Sequence, residues 1–159
     1  MIKFIGDGGH AKVIKALIRA ISRDWQNDID PNKLSGRIIA VGDNRHRKTE
    51  SEKYERYVKH LIHPRAWIAC GTTIGKGTVV MAGAIVQPGC KIGKHVILNT
   101  GCTVDHDCVI EDFVHIAPGV HLCGGVHVGE GALMGVGSCA VPGAKIEAWS
   151  LVKAGTVAK

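Results

Sequence analysis

From Ile68 to Val152 every sixth residue is apolar, and across fifteen consecutive repeats the spacing never slips. Four residues after each apolar position stands a small or β-branched side chain, from Thr72 and Thr78 through Cys90, Val96 and Cys102 to Thr156. The residue between them is Gly in eleven of the fifteen repeats, the exceptions being His95, Asp107, Phe113 and Trp149. A fixed short period of this kind predicts a parallel β-helix. Each hexad supplies a short strand with one large and one small residue inward, then a turn that needs the positive φ glycine adopts readily. One hexad cannot bury its apolar side alone, so neighbours must stack into a continuous core. The repeats predict about five coils of three hexads, and the chain is mainly β. Few aromatics (4%) and abundant glycine (21 residues) suit such narrow coils.

Composition narrows the function classes. No apolar run approaches the ~18 residues a membrane-spanning helix requires. Met1–Ile5 leads into a glycine loop and not into a secretory signal, so a cytoplasmic location is expected. Of the six cysteines, Cys90, Cys102 and Cys108 fall at the small inward position, where a thiol behaves as a compact hydrophobe. Reduced thiols are therefore expected. Net charge is +6, but the basic residues of the first third are interleaved with Glu50, Glu52 and Glu55, and no stacking aromatics accompany them. That pattern favours small anionic ligands over nucleic acid.

Ahead of the repeats, residues 2–5 form a buried-strand pattern, followed by Gly6-Asp7-Gly8-Gly9-His10 and a helical pattern with Val13, Ile14, Leu17, Ile18 and Ile21 on its apolar face. Strand, glycine loop and helix open a Rossmann-like unit, where backbone N–H groups can meet a phosphate. Residues 24–36 are polar and turn-rich. Residues 37–44 give a second strand ending in a turn at Gly42. A capping box at Thr49–Glu52 predicts a second helix through Tyr54, Tyr57, Val58 and Leu61, closed by Pro64. The expected division is a small α/β domain over 1–61 and the β-helix over 62–159.

The order G-x-G-G-H, I-x-V-G-D-N, a charged helix, L-I-H-P-x-A-x-I, and uninterrupted hexads containing N-T-x-x-x-V-x-H-D-C-x-I resembles the PglD/NeuD-type sugar acetyltransferases of the hexapeptide-repeat superfamily. The resemblance implies a left-handed β-helix, acetyl-CoA as cosubstrate, a nucleotide-linked or free sugar as acceptor, and a homotrimer. It implies no metal and no membrane insertion. Two departures stand out. The 24–36 stretch replaces a middle strand whose acidic pair helps hold the nucleotide in the family, and the G-V-P-A-K tail is missing.

Acyl transfer from a thioester needs a base, an N–H for the oxyanion and a groove for the carrier. Among nine histidines, His106 stands between Asp105 and Asp107, and Asp107 breaks the glycine rule of the turn. Residues eighteen apart stack, so Gly124 and Gly125 should lie directly above His106 and Asp107. Bare glycines there leave room for a thioester and expose backbone N–H groups. A larger side chain at 124 should then block the thioester while leaving His106 competent. By resemblance His106 is the general base and Asp107 its acidic support, His115 lies near the acetyl group, and Gly124, Val136 and Ala154 line the CoA groove. Gly8, Gly9, His10 and Gly42 match the acceptor loops.

The favoured activity is N-acetylation of an amino sugar by direct attack, with no cysteine relay. O-acetylation of a sialic-acid-like sugar is the alternative. A zinc enzyme of the γ-carbonic-anhydrase kind is a further class, suggested by His115, His121 and His127. Their six-residue spacing puts them on three successive sides of the prism, however, where they cannot share a tetrahedral site within one chain. A non-catalytic β-helix scaffold is the last.

Overall fold

A computed structural model describes residues 2–23 and 36–159. The hexads build a three-sided parallel β-solenoid. Its first face stacks β3 (His60–Ile62) with the strands at 78–80, 97–98, 115–116, 133–134 and 151–152. The second face carries strands at 67–68, 85–86, 103–104, 121–122, 139–140 and 157–158, and the third those at 73–74, 91–92, 109–110, 127–128 and 145–146. Register is eighteen residues throughout, as in Thr103↔His121↔Cys139. Two faces reach six strands, beyond the five coils the repeats predict, because β3 pairs with Thr78–Val80 ahead of the first clear hexad and Val157–Ala158 pairs after the last.

The inward column from Val80 to Ile146 is almost entirely removed from solvent, with Cys90, Cys102 and Cys108 filling the small positions among the aliphatics. Each large inward side chain contributes about 1.5–3 kcal/mol by burial. All fifteen turn positions adopt positive φ. At four of them the residue is not glycine: His95 (53°), Asp107 (60°), Phe113 (61°) and Trp149 (59°). Three of these exceptions need glycine one coil earlier. The side chains of His95, Asp107 and Trp149 occupy the space where a Cβ on Gly77, Gly89 or Gly131 would stand.

The N-terminal segment is a small α/β unit. β1 (Ile2–Ile5) and β2 (Gly36–Ile39) pair in parallel, and α1 (Gly9–Arg23) lies between them in sequence. Helix α1 buries Ala11, Ile14, Leu17 and Ile21 against Leu61, Val79, Met81 and Ile97 on the first face. Val13, expected on that apolar side, is 44% exposed. The 24–36 loop reading falls, except for Gly36, outside the described residues.

The second helix differs from expectation. It is α2, Asn44–Ser51, and its N-cap is Asp43, whose carboxylate accepts the His46 N–H at 2.7 Å. Thr49–Glu52 is where the helix ends, not where one begins. The Tyr54–Leu61 stretch is non-helical: Arg37 bridges Tyr57, its N–H donating to the Arg56 carbonyl and its carbonyl accepting the Val58 N–H, both at 3.0 Å, and Leu61 enters β3. Pairing with β2 and the first face supplies the backbone partners a helix would otherwise provide. Among the described residues no helix is long and apolar enough to cross a membrane.

Candidate active site

His106 rides on the turn joining the second face to the third. The Asp105 carboxylate accepts the His106 backbone N–H at 2.8 Å and fixes the start of that turn. Asp107 follows in a left-handed conformation, strain of about 1 kcal/mol or more for a residue with a Cβ. In that conformation its Oδ2 lies 2.8 Å from His106 Nδ1. A carboxylate on Nδ1 holds the ring proton there and leaves the Nε2 lone pair outward. The Asp107 hydrogen bond, helped by the Asp105 charge, raises His106 above the ordinary imidazole value. Both side chains are open to solvent (62% and 72%), so the pair is accessible and adds little to stability.

Nε2 faces Gly124 one coil on. A Cβ at Gly124 would stand 2.6 Å from Nε2 and 2.7 Å from Cε1. The expectation that a larger side chain at 124 leaves His106 competent is therefore corrected, because the ring itself uses that space. The Gly125 N–H is spent on the His106 carbonyl at 2.9 Å, whereas the Gly124 N–H has no such partner among the described residues. A groove of about 370 Å³ runs from this corner along the second face, lined by Ile85, Gln87, Thr103, Asp105, His121 and Cys123.

Two buried inward thiols, Cys102 and Cys108, are held protonated. Cys108 donates to the Cys123 carbonyl at 3.2 Å, and burial pushes its thiol up to about 11. Burial carries Cys102 to about 12. Neither offers a thiolate near neutral pH.

The remaining sequence-predicted residues form two other groups. His10, Gly42 and His115 gather where the N-terminal unit meets the first face. The Gly42 Cα faces the His10 Cβ, and the Gly42 carbonyl accepts from Arg47 Nη1 at 3.0 Å. Desolvation first, then Arg47, lowers both His10 and His115 to about 4, so both rings are neutral. Gly8 and Gly9 sit exposed at the start of α1, with nothing packed where a Cβ would point. Val136 and Ala154 stack at the corner between first and second faces, where the Gly155 N–H donates to the Val136 carbonyl at 2.9 Å. Within one chain the three groups stay apart. His115, His121 and His127 stand on three different faces.

Residues 71–106 match the bacterial transferase hexapeptide (six repeats) family. No curated protein matches the chain. The acetyltransferase domain of PglB from Neisseria gonorrhoeae is similar in structure, with TM-score 0.89 and 33% identity over 99% of this chain and 90% of that one. The chain belongs to the sugar acetyltransferases of the hexapeptide-repeat superfamily. PerB from Caulobacter crescentus, solved in complex with CoA and GDP-perosamine, is similar at TM-score 0.89 and 34% identity over 99% of this chain and 88% of that one. The PglB domain in complex with acetyl coenzyme A gives TM-score 0.86 and 34% identity over 97% and 88%.

A second cavity of this acetyltransferase, about 660 Å³, lies elsewhere, at the corner between third and first faces under α2. Its one imidazole, His95, is 5% exposed and lowered by burial to about 4. Sequence reasoning missed Arg47, which lay hidden in a run of surface-like charges. It is 1% exposed, and its donors reach the carbonyls of His95 (2.8 Å), Gly42 (3.0 Å) and Phe113 (2.6 Å) and Asn44 Oδ1 (2.8 Å). Asn44 reaches one coil further, to the Gly131 and Ala132 carbonyls at 3.0 and 3.1 Å. The Asp43 cap was the available signal: it starts a helix whose fourth residue must face the solenoid.

Proposed function

We propose that the enzyme transfers the acetyl group of acetyl-CoA to the amine of a nucleotide-linked amino sugar, with His106 as general base. The observation that carries this reading is the His106–Asp107 pair, its Nε2 aimed at the one coil left bare by Gly124 and Gly125. The acceptor nitrogen attacks the thioester carbonyl carbon and its proton passes to His106 Nε2. We assign the oxyanion to the Gly124 N–H, for which no backbone acceptor is found among the described residues. Collapse breaks the C–S bond, and the departing thiolate recovers the proton from His106. The Asp107 carboxylate stabilises the imidazolium formed in between. Burial of Cys102 and Cys108 supports direct attack over a thiol relay. The second-face groove is of a shape to take the pantetheine arm, and acetyl-CoA and GDP-perosamine as ligands of the similar structures support the choice of donor and acceptor class.

The site needs more than one copy. Gly8, Gly9, His10 and Gly42 adjoin the first face, while His106 and Gly124 occupy the opposite corner and Val136 and Ala154 a third position. A homotrimer that sets the first face of one chain against the His106 corner of the next unites them. Leu151, Val136 and Val157, each more than half exposed (63%, 57% and 55%), give that contact apolar surface. Sedimentation is expected to show a trimer at micromolar concentration; a monomer there would count against both assembly and mechanism. The activity is tested with acetyl-CoA and a panel of nucleotide-linked amino sugars, reading free thiol. Release only with hydroxyl acceptors selects O-acetylation, and no release with any sugar refutes the proposal.

A further inference from the structure

The prism has three corners, and acetyl transfer as proposed uses two of them. His106 and Gly124 stand where the second face meets the third, and Val136 and Ala154 where the first meets the second. The remaining corner, between third and first faces, carries the cavity of about 660 Å³ under α2. It also lies away from the acceptor loops. Those follow the C-terminal ends of β1 and β2, after Ile5 and Ile39. An adjoining cavity of about 360 Å³ is lined instead by Gly36, the first residue of β2, and shares Tyr57 and Lys76 with the larger one. No residue assigned to donor, base or acceptor lines either cavity.

The lining of the larger cavity has two halves. One is apolar: Ile74 with the rings of Tyr57, His95 and Phe113, Tyr57 edge-on to His95 at 4.6 Å and His95 stacked on Phe113 at 5.4 Å. The other half is cationic, made by Lys48, Lys59, Lys76 and Lys94. Lys48 is paired with Glu130 at 2.7 Å, whereas the ammonium groups of the other three have no acidic partner among the described residues. Lys76 and Lys94 are eighteen residues apart and so stack on successive coils. Two carboxylates share the lining, Glu52 and Asp112, and Asp112 turns Oδ1 to the Lys94 backbone N–H at 2.7 Å and not to an ammonium group. Lysines gathered against an apolar wall without matching counter-charge focus a positive field on the space between them. His95 is 5% exposed, and its buried Nδ1 has no hydrogen-bond partner among the described residues, a buried polar atom that the fold itself does not satisfy.

We propose that this cavity is a second ligand site, for a phosphate ester with a flat apolar body, the chemistry of a nucleoside monophosphate. The phosphate sits among the Lys59, Lys76 and Lys94 ammonium groups, each a point donor in a charge-assisted hydrogen bond. The body lies against Ile74, Tyr57 and Phe113. The volume falls within the roughly 300–1,000 Å³ of small-molecule sites. A bare anion would leave the apolar half of the lining unused, and an uncharged sugar would leave the lysines unused; a phosphate ester of this kind engages both.

The test is calorimetric binding of phenyl phosphate to the full chain, with inorganic phosphate and phenol as the two halves of the probe. Phenyl phosphate is expected to bind more tightly than either half and to shift the ring resonances of Tyr57 and His95. Lys76→Ala combined with Lys94→Ala should weaken it by roughly 10²-fold, each substitution removing one charge-assisted contact. Both side chains are exposed, so the ligand-free variant is expected to melt with the wild type. Lys59→Ala, a single exposed change, gives an independent reading of about tenfold. Unchanged affinity in the lysine variants, or ring resonances that stay in place, overturns the site. Inorganic phosphate binding as tightly as phenyl phosphate overturns the apolar half of the assignment. Displacement of phenyl phosphate by acetyl-CoA would show that the lysines hold the cosubstrate, and would overturn a second site. None of these measurements involves turnover, so failure of acetyl transfer would not be mistaken for failure of this inference, nor the reverse.

Discussion

Replacing Gly124 with Ala separates the proposed chemistry from the fold. Gly124 does not adopt positive φ, so alanine is conformationally acceptable there. Its Cβ would lie 2.6 Å from His106 Nε2 and 3.3 Å from Cδ2. Ordinary contact needs ~3.5 Å, so the ring must retreat by about 1 Å. That retreat is easy, since the side chain is 62% exposed. Melting temperature should therefore move by no more than about 2 °C, as for a surface change in a domain of this size. Turnover should not be spared: a base displaced by about 1 Å loses on the order of 10²-fold. The assay is initial-rate thiol release at saturating acetyl-CoA, alongside thermal unfolding of the same preparations. A folded Gly124→Ala protein with kcat within about twofold of wild type would refute the placement of Nε2 over Gly124 during turnover.

His106→Ala should lower turnover by about 10²–10⁴ with acetyl-CoA affinity intact, and for an amine acceptor the deficit should shrink as pH rises, because the amine then arrives deprotonated; a pH-independent deficit would argue against proton removal. Asp107→Asn removes the main cause that raises His106, so the acid limb of kcat/KM should move to lower pH while the plateau falls; a limb that stays in place would assign it to another group. The same sign governs stability: the pair's contribution is complete below the unfolded-state value of ~6.5 and is lost as pH rises through the higher folded value. Arg47→Met strips the His95, Gly42 and Phe113 carbonyls of a buried donor and should destabilise by about 3 kcal/mol or more, roughly 10 °C in Tm by thermal unfolding; a shift under a few degrees would mean the N-terminal unit is held chiefly by the α1 contacts.

The solenoid was legible because its signal repeats. Strand positions, inward column and eighteen-residue stacking all follow from one period, and the stacking alone placed Gly124 on His106. The N-terminal unit was legible only where a pattern was local, as in β1 and α1. Tyr54, Tyr57, Val58 and Leu61 have helical spacing, yet they lie in extended chain because β2 and the first face offer them partners far away in sequence. Periodicity reports which residues are apolar and how they are spaced, not what will pair with them. Arg47 escaped for the same reason. A buried guanidinium satisfied wholly by carbonyls leaves no acidic partner in the sequence to betray it.

The four turn positions that lack glycine carry a more specific lesson. A broken local rule pointed to Asp107, and at that corner the exception places a carboxylate on the base. The other three exceptions, His95, Phe113 and Trp149, share a single different corner and serve docking. His95 and Phe113 stack with ring planes 4° apart, and Tyr57 meets His95 edge-on at 4.6 Å. Arg45 and Lys48 of α2 lie over the Trp149 ring at 4.8 and 5.2 Å. The aromatic column therefore presents α2 with a flat surface and Arg47 with the His95 and Phe113 carbonyls, and Arg47 in turn holds the Gly42 carbonyl. Strain of the same kind is accepted at two corners for two ends: at one it positions the base, at the other it seats the unit proposed to bring the sugar. The residue type tells them apart, a carboxylate next to a histidine in one case and a ladder of rings in the other. Eighteen-residue spacing already sets the three rings on one corner; that α2 docks there had to come from the fold.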